Sequence, residues 1–176
     1  MSGVPVGWSK GPVTITLTAG GDLAGIASTE YRLRDALSWT TYAGPVKANL
    51  QGSSTYEYRS TDKAGNVETT KAVVVEIDAL GPQTAALAKI TVKKGKSATF
   101  RFRVTDMTPT ATVTLKILKG KALKKTLPRT VKQTGTTQTL KWACKLAKGT
   151  YTWKVYATDT AGNPQRVIGW KTLLVK

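Results

Sequence analysis

The chain has 176 residues, is 40% apolar with five tryptophans, and carries a formal charge of +17 with no histidine and one cysteine. The missing histidine excludes Ser-His-Asp and Cys-His catalysis and His-containing zinc sites. The single Cys144 excludes an intrachain disulfide and a thiolate metal site, and no stretch approaches the roughly 20 apolar residues of a membrane span.

In chain order the dominant period is two. Val13, Ile15 and Leu17 alternate with Thr14, Thr16 and Thr18, which predicts a strand with one buried face. Thr29 to Arg34 reads the same way, with Tyr31 and Leu33 facing inward. Trp39 to Tyr42 ends at the turn signal Gly44-Pro45. Tyr56 and Tyr58 alternate with Glu57 and Arg59, and Val73, Val75 and Ile77 form a last strand. β-Branched residues dominate and Gly and Pro interrupt at short intervals, so helix is not expected.

The pattern then restarts. Phe100, Phe102 and Val104 alternate with Arg101 and Arg103, and Val113, Leu115 and Ile117 with Thr114 and Lys116. Lys119-Gly120-Lys121 predicts a hairpin turn into Leu123–Leu127. Leu140, Trp142, Cys144 and Leu146 share one face, with Cys144 a small buried hydrophobe. Tyr151, Trp153, Val155 and Ala157 share another, and Leu146, Gly149 and Tyr151 predict a tyrosine corner. Val167 to Val175 closes the series, with a bulge expected near Gly169.

One motif occurs twice: Asp62-Lys63-Ala64-Gly65-Asn66 and Asp159-Thr160-Ala161-Gly162-Asn163, 97 positions apart, about one small sandwich domain. Asp accepts backbone N–H groups, Gly permits positive φ, and Asn tolerates the left-handed region, which suits the hairpin between the last two strands. The structural turns are thus assigned to Asp62, Gly65, Asn66, Asp159, Gly162 and Asn163. The other reading is a calcium site on Asp62 or Asp159, although calcium wants six to eight oxygens.

These observations predict an all-β chain of two tandem antiparallel sandwiches, 1–79 and 80–176, with the boundary near Asp78-Ala79-Leu80-Gly81-Pro82. Charge divides at the same place. Residues 1–80 carry 7 Lys+Arg against 8 Asp+Glu, a balance of −1, and residues 81–176 carry 20 against 2, a balance of +18. A strongly basic second domain favours anionic partners. Lys116, Lys119, Lys121, Lys124 and Lys125 straddle the predicted hairpin, either as a solvated face or as an anion-binding stripe of diffuse, salt-sensitive character. Scarce arginine argues against specific nucleic-acid recognition. Trp39 and Tyr42 are candidates for a sugar-stacking platform, or for packing beside a hairpin. No Gly-rich phosphate loop is present, and the second domain has two acids only, so no catalytic residues are assigned. No metal or cofactor is assigned either.

Gly7-Trp8, Val13–Thr18, Glu30-Tyr31-Arg32, Trp39–Tyr42, Gly44-Pro45 and Tyr58–Glu68 resemble a bacterial immunoglobulin-like repeat. Val113–Ile117, Gly120-Lys121, Trp142, Gly149–Trp153 and Ala157–Asn163 resemble the immunoglobulin- or fibronectin-III-like domain of flagellar hook-capping and other secreted bacterial proteins. The resemblance implies immunoglobulin-like sandwiches with a non-catalytic spacer, accessory or adhesive role outside the cytoplasm. The expected partners are an anionic cell-wall polymer, a glycan or another surface protein, without membrane insertion, in a monomeric piece of a longer exported chain. The first residues, Met1-Ser2-Gly3-Val4-Pro5, do not have the pattern of a signal peptide.

Overall fold

The computed structural model describes residues 1–20 and 25–176. Among them are sixteen strands and no helix, in two compact units, Met1–Ala79 and Leu80–Lys176. Each unit is a β-sandwich with its own core.

The first unit contains β1 (Trp8–Ser9), β2 (Val13–Ile15), β3 (Ile26–Leu33), β4 (Thr40–Thr41), β5 (Val46–Ala48), β6 (Gly52–Asp62) and β7 (Lys71–Ile77). One sheet has the order β1-β7-β6-β3-β4, and the other is the pair β2-β5. Alternation decides which residues meet between them. Val13, Ile15, Leu17, Ala48, Tyr56, Val75 and Ile77 form the dry centre, with Tyr31, Tyr42, Tyr58 and Val73 packed on it. Beyond β2, Thr16 exchanges backbone bonds with Ser2, so the N-terminal segment continues the pairing. Leu33 was expected to face inward but remains 36% exposed, because it lies at the far end of β3 while β2 and β5 are only three residues long.

The second unit contains β8 (Gln83–Ala86), β9 (Ile90–Val92), β10 (Ser97–Thr105), β11 (Thr110–Lys119), β12 (Ala122–Thr126), β13 (Thr130–Gln133), β14 (Thr137–Ala143), β15 (Gly149–Asp159) and β16 (Gly169–Val175). The sheet β14-β10-β8 faces β12-β11-β15-β16-β9, and β13 also pairs with β11. Strict alternation on β10, β11 and β15 drives the burial: every second residue from Ala98 to Val104, Ala111 to Ile117 and Tyr151 to Ala157 is buried. Phe100 and Trp153 meet edge to face across the sheets, 5.1 Å between ring centres and 73° between planes. Cys144 is buried, and Leu140, Trp142 and Leu146 pack against the same core. The Tyr151 hydroxyl donates to the Ala147 carbonyl at 2.9 Å, which makes the tyrosine corner.

One feature differs from a purely antiparallel reading. In each unit an early strand lies parallel to the last: β1, the first strand, along β7, and β9, the second strand of its unit, along β16. The β15–β16 register runs without a shift from Gly149↔Val175 to Val155↔Gly169 and then slips before the Thr158↔Pro164 bridge, so the ladder is irregular just before Gly169. Glycine is also needed there for a packing reason. A Cβ at this position would lie 2.5 Å from the Ala86 nitrogen and 2.6 Å from the Ala85 Cα, because β8 passes over the start of β16. Thr84 fastens this crossing: its hydroxyl oxygen accepts from the Gly169 N–H and lies 2.9 Å from the carbonyls of Val155 and Val167.

Because Phe100 and Trp153 are fully buried against each other, Phe100→Ala or Trp153→Ala is expected to destabilise the second unit by roughly 3–5 kcal/mol. Residue-resolved hydrogen exchange provides the check. Protection at β10 and β15 falls in both variants, and unchanged protection there would contradict the packing argument.

Candidate interaction surfaces

The two closing turns match bond for bond. In the first, Asp62 Oδ1 accepts from the Asn66 backbone N–H at 2.8 Å and Oδ2 from the Asn66 side-chain amide at 2.8 Å. In the second, Asp159 receives the same two bonds from Asn163 at 2.7 and 2.9 Å. Backbone bonds Asp62 N to Asn66 O and Asp159 N to Asn163 O close each ring at 3.0 and 3.1 Å. Gly65 and Gly162 take φ of +89° and +87°, a region costly for any residue with a Cβ. Both oxygens of each aspartate are thereby engaged inside the turn. The bonds from Asn66, side chain first and backbone second, hold the Asp62 carboxyl below the usual carboxylate range.

Trp39 and Tyr42 go to different places. Tyr42 turns inward: its ring meets Tyr31 edge-on at 6.5 Å, and its hydroxyl accepts from the Leu17 N–H at 3.1 Å. Trp39 lies over a charged checkerboard on the outer side of β3 and β6. Glu30 is opposite Arg59 and Arg32 is opposite Glu57, with ion pairs at 3.1 and 2.9 Å and a further Arg34–Glu57 contact at 3.2 Å. The guanidinium carbons of Arg32 and Arg59 lie 4.5 and 4.2 Å from the Trp39 ring centre. The two aromatic side chains do not share a platform, and the Trp39 ring already serves two cations. Hydrogen bonding from Arg32 first, and from Arg34, holds the Glu57 carboxyl low. The alternation of Glu30, Arg32 and Arg34 against Glu57 and Arg59 is the sequence signal for this arrangement.

The five lysines do not form one stripe. Lys116 projects from the outer face of β11, with its ammonium 4.6 Å from the Tyr156 ring centre. Lys119 ends β11, 5.9 Å from the Tyr151 ring centre, and Lys121 occupies the turn. A register shift between Ile117 and Leu118 then changes the pairing: Lys125 stands opposite the inward-facing Ile117 and Lys116 opposite Thr126, so Lys116 and Lys125 project from opposite faces. Sequence reasoning missed what lies beside Lys116. Lys154 is directly opposite it on β15, and Trp170 is directly opposite Lys154 on β16. A groove of about 360 Å³ is lined in part by Thr114, Lys116, Arg129 and Tyr156. In the first unit a cavity of about 280 Å³ is lined in part by Thr18, Tyr58, Asp62, Glu68 and Lys71, where Asp62 is engaged by Asn66 and Glu68 by Lys71 at 2.6 Å.

No protein-family model matches the chain, and no curated protein matches it. Among solved structures it is similar to the fibronectin(III)-like modules of Clostridium thermocellum CbhA, at 13% identity and a TM-score of 0.41, covering 96% of this chain and 87% of that one. It is also similar to the FN1–FN3 domains of chicken CNTN1, at 14% identity and a TM-score of 0.43, covering 99% and 65%. A third similarity is to the CARDB domain of PF1109 from Pyrococcus furiosus, in complex with di-metal ions, at 16% identity and a TM-score of 0.36, covering 54% and 94%.

The lowered carboxyls predict acid sensitivity in the first unit. A group whose folded value is depressed contributes stability above its unfolded value, near 3.9 for Asp, and loses it as pH falls through the folded value. For Asp62 the contribution is therefore complete at neutral pH and is lost progressively as pH falls from about 4 through the lower folded value. Asp62→Asn should lower stability at pH 7 and flatten the acid limb of a urea-midpoint-against-pH curve, leaving the part due to Glu57 and Glu68. An acid limb as steep as that of the parent chain would contradict the assignment.

Proposed function

We propose that the chain is a non-catalytic structural and interaction module of an extracellular or cell-surface bacterial protein. In this reading it spaces or presents neighbouring domains, and its basic second unit rests against anionic envelope polymers. The observation that carries the reading is the charge division between two sandwiches closed by the same turn: −1 over residues 1–80 and +18 over residues 81–176. In the first unit, acids and bases are used against each other, as in the checkerboard under Trp39. In the second, the only acids are Asp106 and Asp159, whose carboxylate oxygens lie within 4.8 Å of each other, at one end of the sandwich where Asp159 is clasped by Asn163. Against these two acids stand twenty Lys and Arg side chains.

Such contact is electrostatic and diffuse, so it weakens with ionic strength. Retention of the full chain on immobilised polyphosphate should fall steeply between low and physiological salt. Replacing Lys116, Lys119, Lys121, Lys124 and Lys125 together by Gln should lower the salt needed for elution. Retention indifferent to salt would overturn the polyanion reading.

A further inference from the structure

We propose that the open face of the β12-β11-β15-β16 sheet binds a linear acidic polysaccharide of the polyuronate type. Lys116 and Lys154 would pair with its carboxylates, and Trp170 would pack against a sugar ring. The proposal rests on the reading of the second unit as polyanion-binding and assigns that property to one face and one ligand class.

The placement follows from register. Lys116 on β11, Lys154 on β15 and Trp170 on β16 are direct neighbours across three adjacent strands. Strands lie about 4.8 Å apart, so the three side chains form a row about 10 Å long across the sheet. All three have outward parity: Leu115, Ile117, Trp153, Val155 and Leu173 on the intervening positions are fully buried. Trp170 is 59% exposed, an unusual position for so large an apolar ring.

Two lysines directly opposite on one sheet face repel each other. A sequence normally relieves such a pair with a nearby carboxylate. Here the second unit has none to spare, since Asp106 and Asp159 are gathered at its end. Tyr156 instead holds the Lys116 ammonium against its ring, which positions the cation without neutralising it. The row is thus prepared for an external anion.

The ligand class follows from what accompanies the charge. Thr114, Thr152, Thr158 and Thr172 lie on the same outward positions and offer hydroxyls that suit sugar hydroxyls. The open Trp170 ring suits the apolar C–H face of a pyranose, whose slightly positive hydrogens meet the negative ring face. A polyol-phosphate chain has no ring to place there. Single-stranded nucleic acid stacks successive bases on successive rings, and this row has one open ring, because that of Tyr156 is taken by Lys116.

The test uses the full chain with polygalacturonate, dextran, polyphosphate and a single-stranded oligonucleotide, followed by calorimetry and tryptophan fluorescence at low salt. Polygalacturonate should bind and dextran should not. Lys116→Gln with Lys154→Gln should weaken polygalacturonate about tenfold and make the salt dependence shallower. Trp170→Ala should weaken polygalacturonate about tenfold, leave polyphosphate unchanged, and be rescued by Trp170→Tyr. Unchanged circular dichroism would confirm that these surface variants fold. Absence of polygalacturonate binding, or binding untouched by either set of variants, overturns the proposal. So does a preference for the oligonucleotide that depends on Trp170. If polyphosphate alone binds, this proposal fails while the broader polyanion reading stands; if no polyanion binds, both fail.

Discussion

Each sandwich depends on one aspartate turning the chain back on itself. With both carboxylate oxygens taken by the asparagine four residues on, the turn delivers the last strand antiparallel to the central one: β7 against β6 and β16 against β15. The last strand in turn holds an early strand, β1 or β9, along its other edge. A charged acceptor satisfying two donors inside a tight turn is stronger than a neutral bond. The motif therefore closes both units at small cost in residues, with two hydrogen bonds on each carboxylate.

Around this shared frame the two units treat charge differently. The first balances it locally, setting Glu30 against Arg59 and Glu57 against Arg32 and Arg34 on neighbouring strands, with Trp39 laid over two of the guanidiniums. The second sets two acids against twenty cations and places two lysines facing each other across adjacent strands. Like charges so placed lower stability. The large core built on Phe100 and Trp153 offsets that cost.

What was legible in the sequence was whatever depends on period two. The buried sets Val113-Leu115-Ile117 and Tyr151-Trp153-Val155, the doubled Asp–Asn turn and the tyrosine corner all have local signatures, and the structure places them accordingly. What was not legible arises from pairing between distant segments. Trp39 looks exposed until Arg32 and Arg59 are brought beneath it by β3–β6 pairing. The lysines look like one stripe until a single register shift parts Lys116 from Lys125. Trp170 has no visible face until its partner Lys154 is known, and nothing local shows that β8 passes over Gly169. The two- and three-residue strands β1 and β9 are too short to show any period.

The parallel pairing of the first and last strands of the first unit has a mechanical consequence. When this sandwich is pulled by its two ends, β1 is drawn one way and β7 the other, along their common axis. The hydrogen bonds between them then lie across the direction of force and must yield together, instead of parting one at a time as in a peeled hairpin. In the second unit β9 and β16 have the same parallel geometry, with β8 ahead of them in the chain. A pair of strands loaded in this way resists extension until its bonds break as a set.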